Sequence, residues 1–194
     1  MRRLYGLILL LLTACNGYHI EVSPFVTDST IEIKNIPGDE GGKLMIALAN
    51  TLVTIPDVEL VRHGAKHELE VQLIENAADI IGYEYDRTPI SGDLINRLRT
   101  NEGRIVLSAK VTLLNKHTGK KIAGPVILTS RRDYDFSNFD TVQDLSFINP
   151  AGQRQRILEF SQGQLDTRQG ATLVAHKLAM NDLAQKITEF ITTL

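Results

Sequence analysis

Apolar and polar positions alternate from Thr30 to Ile36, reading TIEIKNI, and the pattern predicts a half-buried strand that Pro37-Gly38 ends. The period then lengthens. Leu44, Met45, Leu48, Ala49 and Leu52 recur at helical spacing, which predicts an amphipathic helix from about Glu40 to Val53. Asp39 is placed as its N-cap, and Asp39 and Glu40 suit the positive end of the helix dipole. A short strand is expected over Asp57–Val61.

Strand patterns dominate the middle of the chain. Glu68–Glu75 puts Leu69, Val71 and Leu73 on one face, with the alternation continuing through Tyr85. Gly103–Asn115 does the same with Ile105, Leu107, Ala109, Val111 and Leu113, and its partner is Lys121–Phe136, carrying Ile122, Val126 and Leu128. The polar, glycine-containing stretch from Asn115 to Lys120 between them predicts a hairpin loop. Residues 86–102 and 137–168 read as long irregular segments, and loops of that length tend to carry function. A final helix is expected from about Ala171, with an apolar stripe of Leu173, Val174, Leu178, Leu183, Ile187, Phe190 and Ile191. Lys177, Asp182, Lys186 and Glu189 fall outside that stripe.

The order strand, helix, meander, helix predicts an α+β fold: a two-layer sandwich of two helices on a mixed, mostly antiparallel four-stranded sheet. The 194 residues suit one domain, placed at 29–194. Hydrophobic residues at 43% and charged residues at 23% are ordinary for a globular protein. A formal net charge of −2 argues against a nucleic-acid partner.

The first residues depart from this pattern. Met1-Arg2-Arg3 is followed by LYGLILLLL from Leu4 to Leu12, and that run is far short of the roughly 20 apolar residues needed to cross a bilayer. It has the form of a signal-peptide core, assigning 1–14 to a leader and 15–28 to a tether.

Candidate catalytic chemistry is sparse. His63 and His67 have a spacing that would place two metal ligands on a helix, but Gly64 intervenes and no third ligand is nearby. His19, His117 and His176 lie in a tether, a turn and a helix, so no nucleophile-base arrangement can be assembled. Asp133 and Asp135 share a strand face, which describes an exposed, charge-mixed strand end more simply than an acid-base pair. The expectation is a non-enzymatic protein with no cofactor and no metal. Basic residues cluster at the predicted loops: Arg97, Arg99 and Arg104 flank the first, Lys116, Lys120 and Lys121 crowd the hairpin, and Arg154 and Arg156 lie in the second. Such side chains suit phosphorylated sugars.

Leu12-Thr13-Ala14-Cys15 resembles the bacterial lipobox, which implies that Cys15 becomes the first residue of the mature chain and carries diacylglyceryl and acyl groups. At roughly 0.8 kcal/mol per buried methylene, several acyl chains make a stable anchor. Asn16, in place of an aspartate, resembles an outer-membrane sorting signal. Without Arg2 and Arg3 the mature chain keeps 19 basic against 23 acidic residues, which does nothing for adhesion to anionic lipid.

Beyond the lipobox, the mature chain resembles the LptE-type lipopolysaccharide-assembly lipoproteins. The features that carry this are Cys15-Asn16-Gly17-Tyr18-His19-Ile20, the Ser29–Ile36 strand, the acidic glycine-containing turn Pro37–Gly42, the amphipathic helix, a meander ending in RRDYDF at Phe136, and the C-terminal helix. The resemblance implies an outer-membrane lipoprotein on the periplasmic side. It would plug a β-barrel partner, help assemble it, and contact lipopolysaccharide without bond-making chemistry. By position in the family, Arg99 or Arg104 matches the basic ligand contacts best, with Arg154 and Arg156 second. The rival is a periplasm-facing adaptor or small-ligand-binding lipoprotein. An enclosed apolar pocket between helices and sheet would favour the rival, and a solid core would not.

Overall fold

In the computed structural model, which describes residues 29–56, 58–88, 91–137, 146–156 and 167–194, the first alternating segment forms β1, Ser29–Ile33. The leader, the tether and Cys15 lie outside the described residues. Helix α1 spans Lys43–Leu52 and buries Leu44, Ala47, Leu48 and Leu52. It starts later than its apolar pattern suggests because Gly41 and Gly42 continue the turn from Pro37. Asp39 still caps it from outside: its carboxylate accepts the backbone N–H of Leu44 at 3.1 Å and of Met45 at 2.9 Å, two of the donors a helix start leaves unpaired.

Strand β2, Val58–Leu60, pairs parallel to β1, so β1, α1 and β2 make one crossover unit. On its other side β1 runs parallel to the start of β3, His67–Arg87. Strand β3 pairs antiparallel with β4, Leu94–Asn115, and β4 with β5, Lys121–Asp135. The order is β2-β1-β3-β4-β5, one strand more than the four expected, because β2 adds to the edge. The predicted hairpin loop joins β4 to β5, and the Asn115 side chain accepts from the backbone of His117 and Thr118.

Both helices cover one face of this sheet. Helix α2, Arg168–Thr192, starts at Thr167, whose hydroxyl accepts the Gly170 N–H at 3.1 Å, and it packs against β4, β5 and α1. Leu69, Val71 and Leu73 of β3 meet Ile105, Leu107, Ala109, Val111 and Leu113 of β4, and these pack against Leu48, Leu183 and Ile187 of the helices. Each such leucine or isoleucine, fully buried, stabilises the fold by about 1.5–3 kcal/mol. The sandwich and its core strands are those the alternation predicts.

Three expectations are corrected. Residues 94–102 are not loop: β4 begins at Leu94, leaving only a short turn after Arg87. Leu94 and Leu98 are exposed there and the buried side chain is the charged Arg99, so no apolar stripe marks the strand. The segment 137–168 contains a small hairpin, β6 Ser146–Ile148 with β7 Arg154–Arg156. In α2, Leu173, Val174 and Leu178 are more than half or half exposed, at 59%, 54% and 50%. The first half of that helix buries Ala171, Ala175 and Ala179 instead, small side chains that let it lie close to the sheet.

Beyond the pair Glu102↔Asp135, β5 stops, and β3 and β4 continue together as a two-stranded ribbon. At its base the Tyr134 ring fills the space over Gly103, where a Cβ would come within 2.5 Å of the ring. The Tyr134 hydroxyl lies 3.0 Å from that of Thr172 on α2, and the Arg168 guanidinium sits 5.8 Å from the Phe136 ring centre.

A second close approach gives a test of the packing. Gly38 has φ of 87°, and a Cβ there would sit 2.4 Å from the Leu73 carbonyl oxygen. Gly38→Ala is expected to cost about 1–3 kcal/mol, read as a lower urea midpoint with unchanged slope. An unaltered midpoint would show that this turn does not constrain the fold.

Candidate functional site

The free end of the ribbon carries the most concentrated polar chemistry among the described residues. Asp86, near the end of β3, is almost fully buried, and its carboxylate accepts from the Arg87 backbone at 2.9 Å, from Arg99 Nη1 at 3.2 Å and from Arg97 Nη2. Arg99 is itself buried, 7% exposed, whereas Arg97 lies largely in solvent. Burial alone would raise the Asp86 pKa, but the bonds from Arg97, the Arg87 N–H and Arg99 overcome it and hold the carboxyl below its usual range.

Beside this cluster the β6–β7 hairpin closes a cleft of about 440 Å³, whose lining includes Tyr85, Asp86, Arg99, Phe147, Ile148 and Arg154. Arg154 is exposed, and its Nη1 donates to Ser146 Oγ at 3.2 Å across the hairpin. Arg156 stands opposite Ser146 in the strand register. The cleft thus sets guanidinium groups against an aromatic ring and an aliphatic side chain. That combination suits an amphiphilic anion, with phosphate or carboxylate oxygens on the arginines and hydrocarbon on Phe147 and Ile148.

Of the four arginines singled out from sequence, the structure brings Arg99 and Arg154 into one cleft. Arg104 is elsewhere. On the open face of the sheet it makes a two-pronged pair with Asp133, Nε to Oδ1 at 2.6 Å and Nη2 to Oδ2 at 2.7 Å, which lowers the Asp133 pKa. Sequence reasoning missed Asp86, Tyr85 and Phe147. The alternation Tyr83-Glu84-Tyr85-Asp86 was the available signal for the first two, since it carries the strand to the cleft.

His63 and His67 do not share a helix. His63 lies exposed in a turn, and His67 opens β3. No group of three His, Cys, Asp or Glu side chains converges among the described residues. The space between sheet and helices is filled: Leu44, Leu48, Leu107, Leu183 and Ile187 are 0% exposed, and the cavity beside His67, Leu113 and Ile191 is about 10 Å³, room for a single water at most. A larger groove of about 410 Å³ runs over the outside of the helix pair, along Lys43, Ile46, Leu173 and Met180.

The charge cluster yields a pH test. Because the Asp86 pKa is depressed in the fold, its contribution is complete above the unfolded aspartate value of about 3.9 and disappears as pH falls through the folded value. Asp86→Asn should therefore lower the thermal midpoint at neutral pH, with the gap to wild type narrowing in acid. A gap of constant size across that range would remove the carboxylate from the account.

No family model and no curated protein matches the sequence. Among solved structures, the chain is similar to the solution structure of an uncharacterized lipoprotein B from Nitrosomonas europaea, at 12% identity and a TM-score of 0.52 over 90% of each chain. It also aligns with the rare lipoprotein B from Shewanella oneidensis at 15% identity and a TM-score of 0.40, over 84% of this chain and 94% of that one. The Nitrosomonas likeness is one of fold, and it spans nearly the whole chain.

Proposed function

We propose that this chain is an outer-membrane lipoprotein of the lipopolysaccharide export machinery, anchored through Cys15 on the periplasmic side. It plugs a β-barrel partner, helps assemble that barrel, and meets lipopolysaccharide at the ribbon cleft. The observation that carries this reading is the polarity of the molecule. Ser29, where the tether would join, lies level with the start of β3, and the arginine cleft lies at its far end. At about 3.3 Å per residue the span between them is on the order of 60 Å, twice the roughly 30 Å hydrocarbon thickness of a bilayer. An anchored molecule of this shape reaches well away from its own leaflet.

The open face of the sheet supports the same reading. It presents Glu70, Gln72 and Lys110 together with ion pairs Glu32 to Lys116, Lys34 to Glu68 and Arg104 to Asp133. A surface of mixed, mutually paired charge suits the polar interior of a large barrel. The Nitrosomonas protein of like fold is itself described as a lipoprotein, which agrees with a lipid anchor. The rival small-ligand reading would rest on the helix groove, but Ile46 and Leu173 there are 60% and 59% exposed, so that groove lies open at the surface.

Measurements on the anchor, the barrel and the ligand test the proposal. Mass spectrometry of the chain from membranes should find acyl groups on the peptide beginning at Cys15, Cys15→Ala should release the protein from the membrane fraction, and detergent extracts should co-purify a β-barrel protein. Recovery of lipidated chain with no barrel would count heavily against the plug. Arg154→Glu should weaken lipopolysaccharide binding by about tenfold, a loss typical of removing a charge-assisted contact, with the fold unchanged. Arg104→Glu, outside the cleft, should have the smaller effect, and the reverse ranking would move the site to the sheet face.

A further inference from the structure

The two long edges of the sheet are finished differently. Along β5, Pro125 offers no N–H, Lys121, Arg131 and Arg132 are exposed, and Lys186 Nζ donates to the Thr129 carbonyl at 2.9 Å. These are the devices by which proteins keep an edge from pairing. Strand β3 has a neighbour on its outer side only at its start, where β1 accompanies it to Leu69 and the Leu73 N–H is taken by the Pro37 carbonyl at 2.9 Å; beyond, register shifts fall between Leu73 and Glu75 and between Ile80 and Gly82, and the run between them is regular. From Ile74 to Tyr85 no described strand lies on that side.

The register identifies which groups are open. The Phe136 N–H donates to the Asn101 carbonyl at 2.9 Å, so by the antiparallel alternation the odd-numbered residues of this part of β4 bond β5 and the even-numbered ones bond β3. Asn76, Ala78 and Ile80 stand opposite Leu107, Ile105 and Gly103, and their backbone groups therefore point away from β4. Around them Ile74, Tyr83 and Tyr85 are 47%, 58% and 54% exposed. The same stretch carries Glu75, Asp79 and Glu84 and no basic residue, and Arg104, opposite Asp79, is held by Asp133.

We propose that the open edge of β3 from Ile74 to Tyr85 accepts an extended segment of a partner polypeptide, added as a further strand with alternating apolar and basic side chains. Unpaired main-chain donors and acceptors supply the affinity, and the acidic, aromatic border selects the sequence. The inference does not depend on Cys15 or on a barrel; Tyr85 also lines the arginine cleft, whereas Ala78 and Ile80, where the test reads, do not.

The test uses the purified full chain and a labelled synthetic peptide alternating valine and arginine, read by fluorescence anisotropy. Saturable binding is expected, and Ala78→Pro, which removes an outward N–H and no bond to β4, should weaken it by at least about tenfold with circular dichroism unchanged. In wild type the peptide should also slow hydrogen exchange at Ala78 and Ile80, a readout that needs no variant. Absent binding, equal binding by a folded Ala78→Pro chain, equal binding of a same-composition peptide with its arginines in one block, or unaltered exchange would each overturn the proposal. So would a wild-type dimer that Ala78→Pro dissolves, because the occupant would then be a second copy.

Discussion

The antiparallel pairing of β3 with β4 is the interaction on which the rest of the molecule depends. It runs from His67↔Asn115 to Arg87↔Leu94, with β1 and β5 at its flanks, α2 packed on one face and the cleft at its end. Because side chains alternate with a period of two, a one-residue slip would turn Leu69, Val71 and Leu73 out to water. Near the helices that core penalty fixes the register. Toward the ribbon tip no core remains, and the bonds of Asp86 to Arg97 and Arg99 across the two strands take over the task. One pairing is thus held by oil at one end and by charge at the other.

This division explains what could be read from the sequence. Where one face of a strand is buried, as at Leu69–Leu73 and Ile105–Leu113, the alternation was unambiguous and the hairpin followed from Asn115 and Gly119. Where no apolar side chain is buried, as in Leu94–Glu102, polar and apolar residues carry no such constraint, and the proline and glycine just before it in the sequence made the whole stretch look like a loop. In α2 the pattern misled for a different reason. The residues that bury its first half are alanines, whose small size sets a close helix-sheet distance, while the larger Leu173, Val174 and Leu178 face outward.

The candidate site was legible by residue type and not by partner. Arg99 and Arg154 stood out as basic residues near predicted loops, yet what gives them a common setting is a tertiary fact: β3 carries Asp86 and Tyr85 to the place where the β6–β7 hairpin lies. Arg104 stood out equally. Its neighbour across the sheet is Asp133 on β5, a pairing set by register, which keeps Arg104 away from the cleft that holds Arg99 and Arg154.

The contact of Tyr134 with Gly103 has a mechanical consequence. It sits where a three-stranded sheet narrows to two, with register shifts at Ile80/Gly82 and Gly82/Tyr83 on the adjoining strand, and Thr172 and Arg168 bind the same corner to the first turn of α2. The free ribbon beyond is about 20 Å long at strand spacing. A tilt of about ten degrees at this joint moves its tip by roughly 3 Å on that lever arm. The helix therefore holds the ribbon at its fulcrum, and the setting of Arg99 depends on Gly103, a residue of the same strand that lies outside the cleft lining.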